Sequence, residues 1–267
     1  MLSKPRVLVT GAASGIGAAL TTRLLQDGAR VMATDLRLEV LAAHRTHGAQ
    51  LRALDVTSRQ AWEAAIDEAW QQWGGLDVLC NVAGYLKPGY AHETDLDEID
   101  RHVDVNLKGV MFGTCIAARR MVAQGSGHIV NIGSLAALAP VAGLSLYSAT
   151  KFGVRGFSLA VAQELKPHNV AVTVVLPDAV DTPMLTLQES YEQAALTFSG
   201  SAPLTADDIV KLIVDRVLVE RPMEITVPVM RGLLARVATM APALASRLDP
   251  FLRKKGRAKQ AARLRGP

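Results

Sequence analysis

Tyr147 and Lys151 lie four residues apart in the stretch YSATK, among small residues. In a helix that spacing is one turn, so both side chains leave the same face with Cβ atoms about 5–6 Å apart. A free Tyr has a pKa of about 10, too high for a base near neutrality. A cation beside it favours the phenolate and lowers that value. The pair therefore suits proton exchange with a reacting group. A solvated surface pair is the bland alternative, and the pentapeptide alone does not decide between them.

A second chemical feature lies near the N-terminus. VLVTGAASGIGAAL places Gly11, Gly15 and Gly17 between a strand-like run and a helix-like one. Without side chains, backbone amides can approach a pyrophosphate, and a helix N-terminus adds partial positive charge. The spacing is T-G-x-x-x-G-I-G rather than G-x-G-x-x-G, but the loop follows a strand and opens a helix, as a dinucleotide fingerprint demands. Asp35 ends the next strand, 18 residues after Gly17. A carboxylate there accepts from the adenosine ribose hydroxyls and repels a 2′-phosphate, which favours NAD over NADP. Arg37 is a complication, since a guanidinium can pair with a phosphate or stack on adenine.

These side chains need a scaffold, and the hydrophobic pattern supplies one. Apolar runs at 6–10, 29–35, 49–57, 76–84, 127–134 and 169–177 read as strands, with 224–228 as an edge strand. Helical periodicity fills 15–28, 57–75, part of 95–125 and the stretch from Tyr147 to about Leu165. Strands alternating with helices imply a parallel sheet covered on both faces. The expected fold is a single doubly wound, Rossmann-like α/β domain over 1–228, with 229–267 as an apolar and basic appendage.

Length and composition agree with a globular chain: 267 residues, 49% hydrophobic and 20% charged. No run approaches the roughly 18–20 apolar residues that span a bilayer. The first residues hold an apolar run too short for a secretory core, so the expected location is the cytoplasm. Cys80 and Cys115 sit in apolar surroundings without metal-ligand spacing and read as buried thiols. The six His show no ligand spacing either, so no metal is expected. Residues 251–267 hold seven Lys or Arg and no acid, so the net charge of +4 belongs to the tail and the other 250 residues carry −3. That distribution argues against a nucleic-acid groove across the fold.

With TGAASGIG, NVAG, NIGS and YSATK in this order, the chain resembles the short-chain dehydrogenase/reductase family over residues 5 to 228. The resemblance implies a seven-stranded doubly wound sheet, a nicotinamide cofactor and hydride exchange with an alcohol or ketone. By matching position, Tyr147 is implied as acid/base and Ser134 as donor to the substrate oxygen. Lys151 is implied to supply the field and hold the nicotinamide ribose, and Asn106 to hold a relay water. Gly11, Ser14, Ile16 and Gly17 are implied at the pyrophosphate and ribose, with Asp35 at the adenosine ribose. Asp55 and Val56 are implied at the adenine, Asn81 and Gly84 at the adenosine pocket, and Val180 and Thr182 at the carboxamide. Tyr147 and Lys151 also count as cofactor contacts. Two departures stand out: Val82 replaces an Asn, and Asp178 replaces a Gly. The carboxylate of Asp178 either favours an oxidised nicotinamide or faces solvent; the sequence leaves both open.

Residues 181–205 fall where the family places its substrate lid. Met184, Leu185, Leu187, Tyr191, Leu196 and Phe198 form either an apolar cover or a cluster of their own. The expected substrate is a hydrophobic secondary alcohol or ketone. Two helices with apolar residues on several faces, around residues 103–121 and 149–165, need burial on more than one side, and the family resemblance implies a homodimer or homotetramer through them. The tail suits weak peripheral contact with an anionic membrane, or packing beside the active site. A catalytically silent dinucleotide-binding regulator is the competing reading, and the set Asn106, Ser134, Tyr147 and Lys151 argues against it.

Overall fold

The computed structural model describes residues 4–45 and 47–265. Its first half runs β1 (Arg6–Thr10), α1 (Gly15–Gln26), β2 (Arg30–Asp35), α2 (Ala42–Arg45), β3 (Gln50–Ala53), α3 (Arg59–Trp73) and β4 (Val78–Asn81). Next come α4 (Asp97–His102), α5 (Gly109–Gln124), β5 (Gly127–Ile132), α6 (Ser145–Leu165) and β6 (Val170–Pro177). Beyond them lie β7 (Val180–Asp181), α7 (Pro183–Gln188), β8 (Leu204–Thr205), α8 (Ala206–Leu212), α9 (Leu218–Glu220) and β9 (Glu224–Val227). The chain closes with α10 (Val229–Met240), α11 (Pro242–Ser246) and α12 (Asp249–Leu264).

Seven strands form one parallel sheet in the order β3-β2-β1-β4-β5-β6-β9. β1 shows why both faces must be covered. Alternate residues of a strand point to opposite faces, so Val7 and Val9 pack with α1 and residues 209–217 while Leu8 packs with α3 and α5. Local signals end the helices where expected. Ser58 accepts from the Ala61 amide at the start of α3, and Gly74 and Gly125 close α3 and α5 in left-handed conformations.

Strand order reverses between β1 and β4, the switch point where open α/β sheets bind ligands beyond the strand C-termini. Val9 pairs with Cys80 across this boundary, so the loops after both strands open into one crevice. The third wall is held by Trp62, whose indole N–H donates to the Val56 carbonyl at 3.1 Å. α5 fits against that ring only because residue 113 is glycine; a Cβ there would lie 2.5 Å from the Trp62 ring.

Three features differ from expectation. The helical stretch within 95–125 is interrupted by a π-helical segment, Val103–Lys108, which carries Asn106. Cys80 is buried as expected, but Cys115 is exposed, because it lies on the outward face of α5 where apolar neighbours in sequence point elsewhere. The segment read as an appendage packs onto the body. Gly256 of α12 meets the Ala195 carbonyl so closely that a Cβ would overlap it. Gln260 donates to the carbonyls of Gln188, Glu189 and Tyr191 at 2.7–3.0 Å.

Removing the indole should be costly. Trp62→Ala empties a fully buried site and orphans the Val56 carbonyl, so urea unfolding should show a loss of about 3–5 kcal/mol. A loss under about 1 kcal/mol would mean that this wall is held by something else.

Candidate active site

A cleft of about 750 Å³ lies at the C-terminal ends of β1, β4, β5 and β6. Its dinucleotide half begins at the loop after β1. Gly11 has φ +65°, and a Cβ on it would lie 2.8 Å from the Ala83 Cα. A Cβ on Gly17 would lie 2.1 Å from the Gly11 carbonyl oxygen, so α1 packs down on the loop only with glycine there. Ser14 precedes α1, its hydroxyl caps no amide, and the first turn holds no acid. Free amides and an uncompensated helix N-terminus favour an anion at this point. Asp35 lines the cleft, accepting from the Ala13 and Leu36 amides at 3.1 and 2.8 Å. Arg37 does not line it; Leu36 does.

Of the other expected dinucleotide contacts, Ile16, Asp55, Val56, Gly84, Val180 and Thr182 line the same cleft. Asn81 does not. Its amide donates to the Asn131 carboxamide oxygen at 2.8 Å and to the Thr114 hydroxyl at 3.3 Å, inside the sheet–helix interface. It braces β4 against β5 and α5, and the loop that reaches the cleft begins one residue later.

The proton-exchange group comes together from three elements. Ser134 follows β5 and accepts from the Ala136 amide at 3.1 Å, which leaves its own proton to give away. Tyr147 and Lys151 project from one face of α6 into the cleft. The Lys151 ammonium lies 5.5 Å from the centre of the Tyr147 ring and donates to the Ile132 carbonyl at 2.8 Å.

Burial dominates the electrostatics of this pair. Burial pushes the Tyr147 phenol up to about 12, opposed by its hydrogen bond to Ser134. Burial also pulls the Lys151 ammonium down to about 8. Both charged forms lose water, and the Lys proton is engaged by a carbonyl rather than by the phenol. In the free protein, then, the phenol is firmly protonated at neutral pH.

Asn106 is fully buried beside this group. Its oxygen accepts from the Tyr85 amide at 2.7 Å, while its NH2 donates to the Tyr85 carbonyl at 2.8 Å and the Thr150 hydroxyl at 3.3 Å. Both amide protons are thus used. The side chain clamps the loop after β4 to α6.

Asp178 resolves the alternatives left by the sequence in a third way. Its carboxylate pairs with Arg231 of α10 at 2.6 Å. Burial raises its pKa and the guanidinium opposes that. Its φ is negative, so the position does not require glycine. The other half of the cleft is mostly apolar. Of the expected lid residues, Met184, Leu185 and Leu196 reach the wall. Phe198 and Tyr191 pack with Leu185 and Ala194 in a cluster of their own, and Leu187 is exposed. Sequence reasoning missed Tyr85, Arg101, Leu234, Ala238 and Leu252, which also line it. The last three come from the tail, where only an apolar period hinted at burial and nothing indicated a destination.

The profile for the short chain dehydrogenase family matches residues 5–193, well over half of the chain. The chain belongs to the short-chain dehydrogenase family. A 3-alpha-(or 20-beta)-hydroxysteroid dehydrogenase of Mycobacterium tuberculosis is 39% identical over 180 residues, 66% of this chain and 69% of that one. An NADP-dependent 3-hydroxy acid dehydrogenase, YdfG, of Salmonella typhimurium is 35% identical over 216 residues, 78% of this chain and 86% of that one. The crystal structure of a short-chain dehydrogenase from Streptomyces avermitilis superposes with a TM-score of 0.79 at 25% identity, covering 93% of this chain and 97% of the other.

Short-chain dehydrogenases are NAD(P)-linked oxidoreductases, and the residues present fit a dinucleotide. Gly11 and Gly17 leave no room for a side chain at the loop, the helix that follows has no acid in its first turn, and Ser14 and Asp35 line the same cleft. Gly17→Ala should force the loop off α1 and weaken NADH binding by at least about tenfold, or 1.4 kcal/mol, in a fluorescence titration. Unchanged binding would mean that the dinucleotide does not use this loop.

Proposed function

We propose that this short-chain dehydrogenase interconverts a hydrophobic secondary alcohol and its ketone, using NAD in preference to NADP. The observation that carries the reading is Tyr147 with its hydrogen-bonded Ser134 and buried Lys151 in the wall of one cleft that also holds the glycine loop. A nicotinamide bound in this cleft supplies or accepts the hydride at the substrate carbon. Ser134 donates to the substrate oxygen and stabilises the charge that develops on it. Tyr147 gives its phenolic proton to that oxygen in reduction and takes it back in oxidation. Lys151 holds the ribose next to the ring and stabilises the phenolate whenever it forms. Asn106 fixes the Tyr85 backbone, and through it the loop facing the reacting atoms.

Apolar lining supports the substrate class. Leu86, Val141, Leu144, Met184, Leu196 and Leu252 line the substrate side. Arg231 there is neutralised by Asp178, and the Arg101 guanidinium stacks 4.2 Å from the Tyr85 ring centre. A pocket lined mainly by such side chains suits apolar groups. Asp35 in the wall, with Arg37 outside it, supports NAD. The outer faces of α5 and α6, with Phe152 exposed and Phe112 and Ile116 partly so, support a homodimer or homotetramer. Two free cysteines suit a reducing compartment such as the cytoplasm.

Tyr147→Phe is the direct test. It should bind NADH normally yet lose about 10²–10⁴ in turnover of a secondary alcohol or ketone; surviving activity would move the acid/base role elsewhere. Because the phenol is held protonated, alcohol oxidation should gain up to about tenfold in kcat/KM per pH unit above neutrality. Ketone reduction should not share that rise, and an oxidation rate flat with pH would contradict the assignment. Asp35→Ala should narrow the NAD to NADP ratio of kcat/KM by about tenfold or more. Wild-type enzyme that works better with NADPH would overturn the cofactor preference.

A further inference from the structure

α10 carries its apolar side chains on the face turned away from the sheet. Its inner face is fixed by polar contacts: Arg231 with Asp178, Arg236 with Glu224, and the Thr239 hydroxyl with the Leu138 carbonyl. Gly232 packs directly on Thr226. Met230, Leu233, Leu234, Val237 and Met240 recur at helical spacing along the other face, and each is at least 52% exposed. Such a stripe in water costs free energy and marks an interaction surface.

Cations follow this stripe in the C-terminal segment. Phe251 of α12 is 69% exposed, and Lys254 and Lys255 follow it by three and four residues, on the same helical face. Arg247 directly precedes the exposed Leu248. Among the described residues none of these three cations has an ion-pair or hydrogen-bond partner. Residues 229–267 hold ten Lys or Arg against one acid, Asp249. Leu234 joins the stripe to the active site, since it is 63% exposed and also lines the cleft with Ala238 and Leu252.

We propose that this face docks on an anionic lipid bilayer, with the cleft mouth opening toward the acyl region. The α10 stripe and Phe251 enter the headgroup–acyl boundary, and Arg247, Lys254 and Lys255 meet lipid phosphates. No helix among the described residues is long and apolar enough to cross a membrane, so the contact is interfacial. A second copy of the chain fits this surface poorly, because a twofold contact sets the same cations against one another. Docking stands on the surface alone; that the cleft draws an apolar alcohol or ketone from the bilayer rests on the function proposed above.

Co-sedimentation of the full chain with vesicles tests docking without any need for turnover. With phosphatidylcholine–phosphatidylserine vesicles in low salt the protein should pellet. Neutral phosphatidylcholine or high salt should reduce the pelleted fraction about tenfold. The double variants L233E/V237E and K254E/K255E should each lose about tenfold or more in vesicle affinity. Both should keep NADH binding and the wild-type circular dichroism, which separates lost docking from lost folding. Equal recovery in the supernatant with and without anionic lipid overturns the proposal, as does pelleting that neither variant weakens. A dimer that L233E/V237E dissociates, with no vesicle binding by the wild type, assigns the stripe to a second copy and also overturns it. Vesicle binding without turnover of any alcohol or ketone leaves docking intact and refutes the proposed function instead.

Discussion

Where β1 and β4 end, two backbone loops lie in van der Waals contact, and the active site depends on that contact. The Thr10 hydroxyl accepts from the Val82 and Ala83 amides at 3.0 and 3.1 Å, drawing the second loop against the first. Gly11 permits the approach because it has no Cβ to place against Ala83. Everything else is aligned from this point. The first loop opens α1 toward the phosphate position, and the second leads to Tyr85, whose backbone Asn106 clamps. The parallel sheet supplies the register, and the two loops convert it into a crevice with polar amides on one wall.

Burial sets the chemistry within that crevice. Tyr147 and Lys151 are one helical turn apart, yet proximity alone does not lower the phenol pKa. Desolvation acts on both groups and drives each toward its neutral form. Ser134 and the Ile132 carbonyl then select which proton points where. The phenol thereby keeps its proton more firmly and the ammonium holds its own less firmly than either would in water.

The C-terminal helices change what the cleft can admit. α12 ties down the segment 181–191 through Gln260 and through Arg263, which pairs with Glu189 and Asp181. α10 is anchored by Asp178, a residue that replaces the glycine usual in the family. One substitution beyond β6 and one arginine fifty-three positions later are therefore two halves of a single contact. Neither is interpretable alone, and together they bring Leu234 and Ala238 to the lip of the site.

Much was legible in the residues themselves. Apolar runs alternating with helical stretches marked the parallel doubly wound sheet, because a strand covered on both faces reads as a continuous apolar run and an amphipathic helix leaves a period of 3.6. The glycine loop, Asp35, Ser134 and the Tyr147–Lys151 spacing were readable because their chemistry is local or tied to a strand end. The partners of Asn81 and Asn106 were not readable, because a carboxamide can serve a ligand or a backbone equally well. Arg231 carried no local mark, and Leu252 only an apolar period without a destination. Their roles, the upward shift of the phenol and the solvent-facing stripe on α10 all depend on which distant groups exclude water. That is a property of packing in three dimensions, and no stretch of sequence contains it.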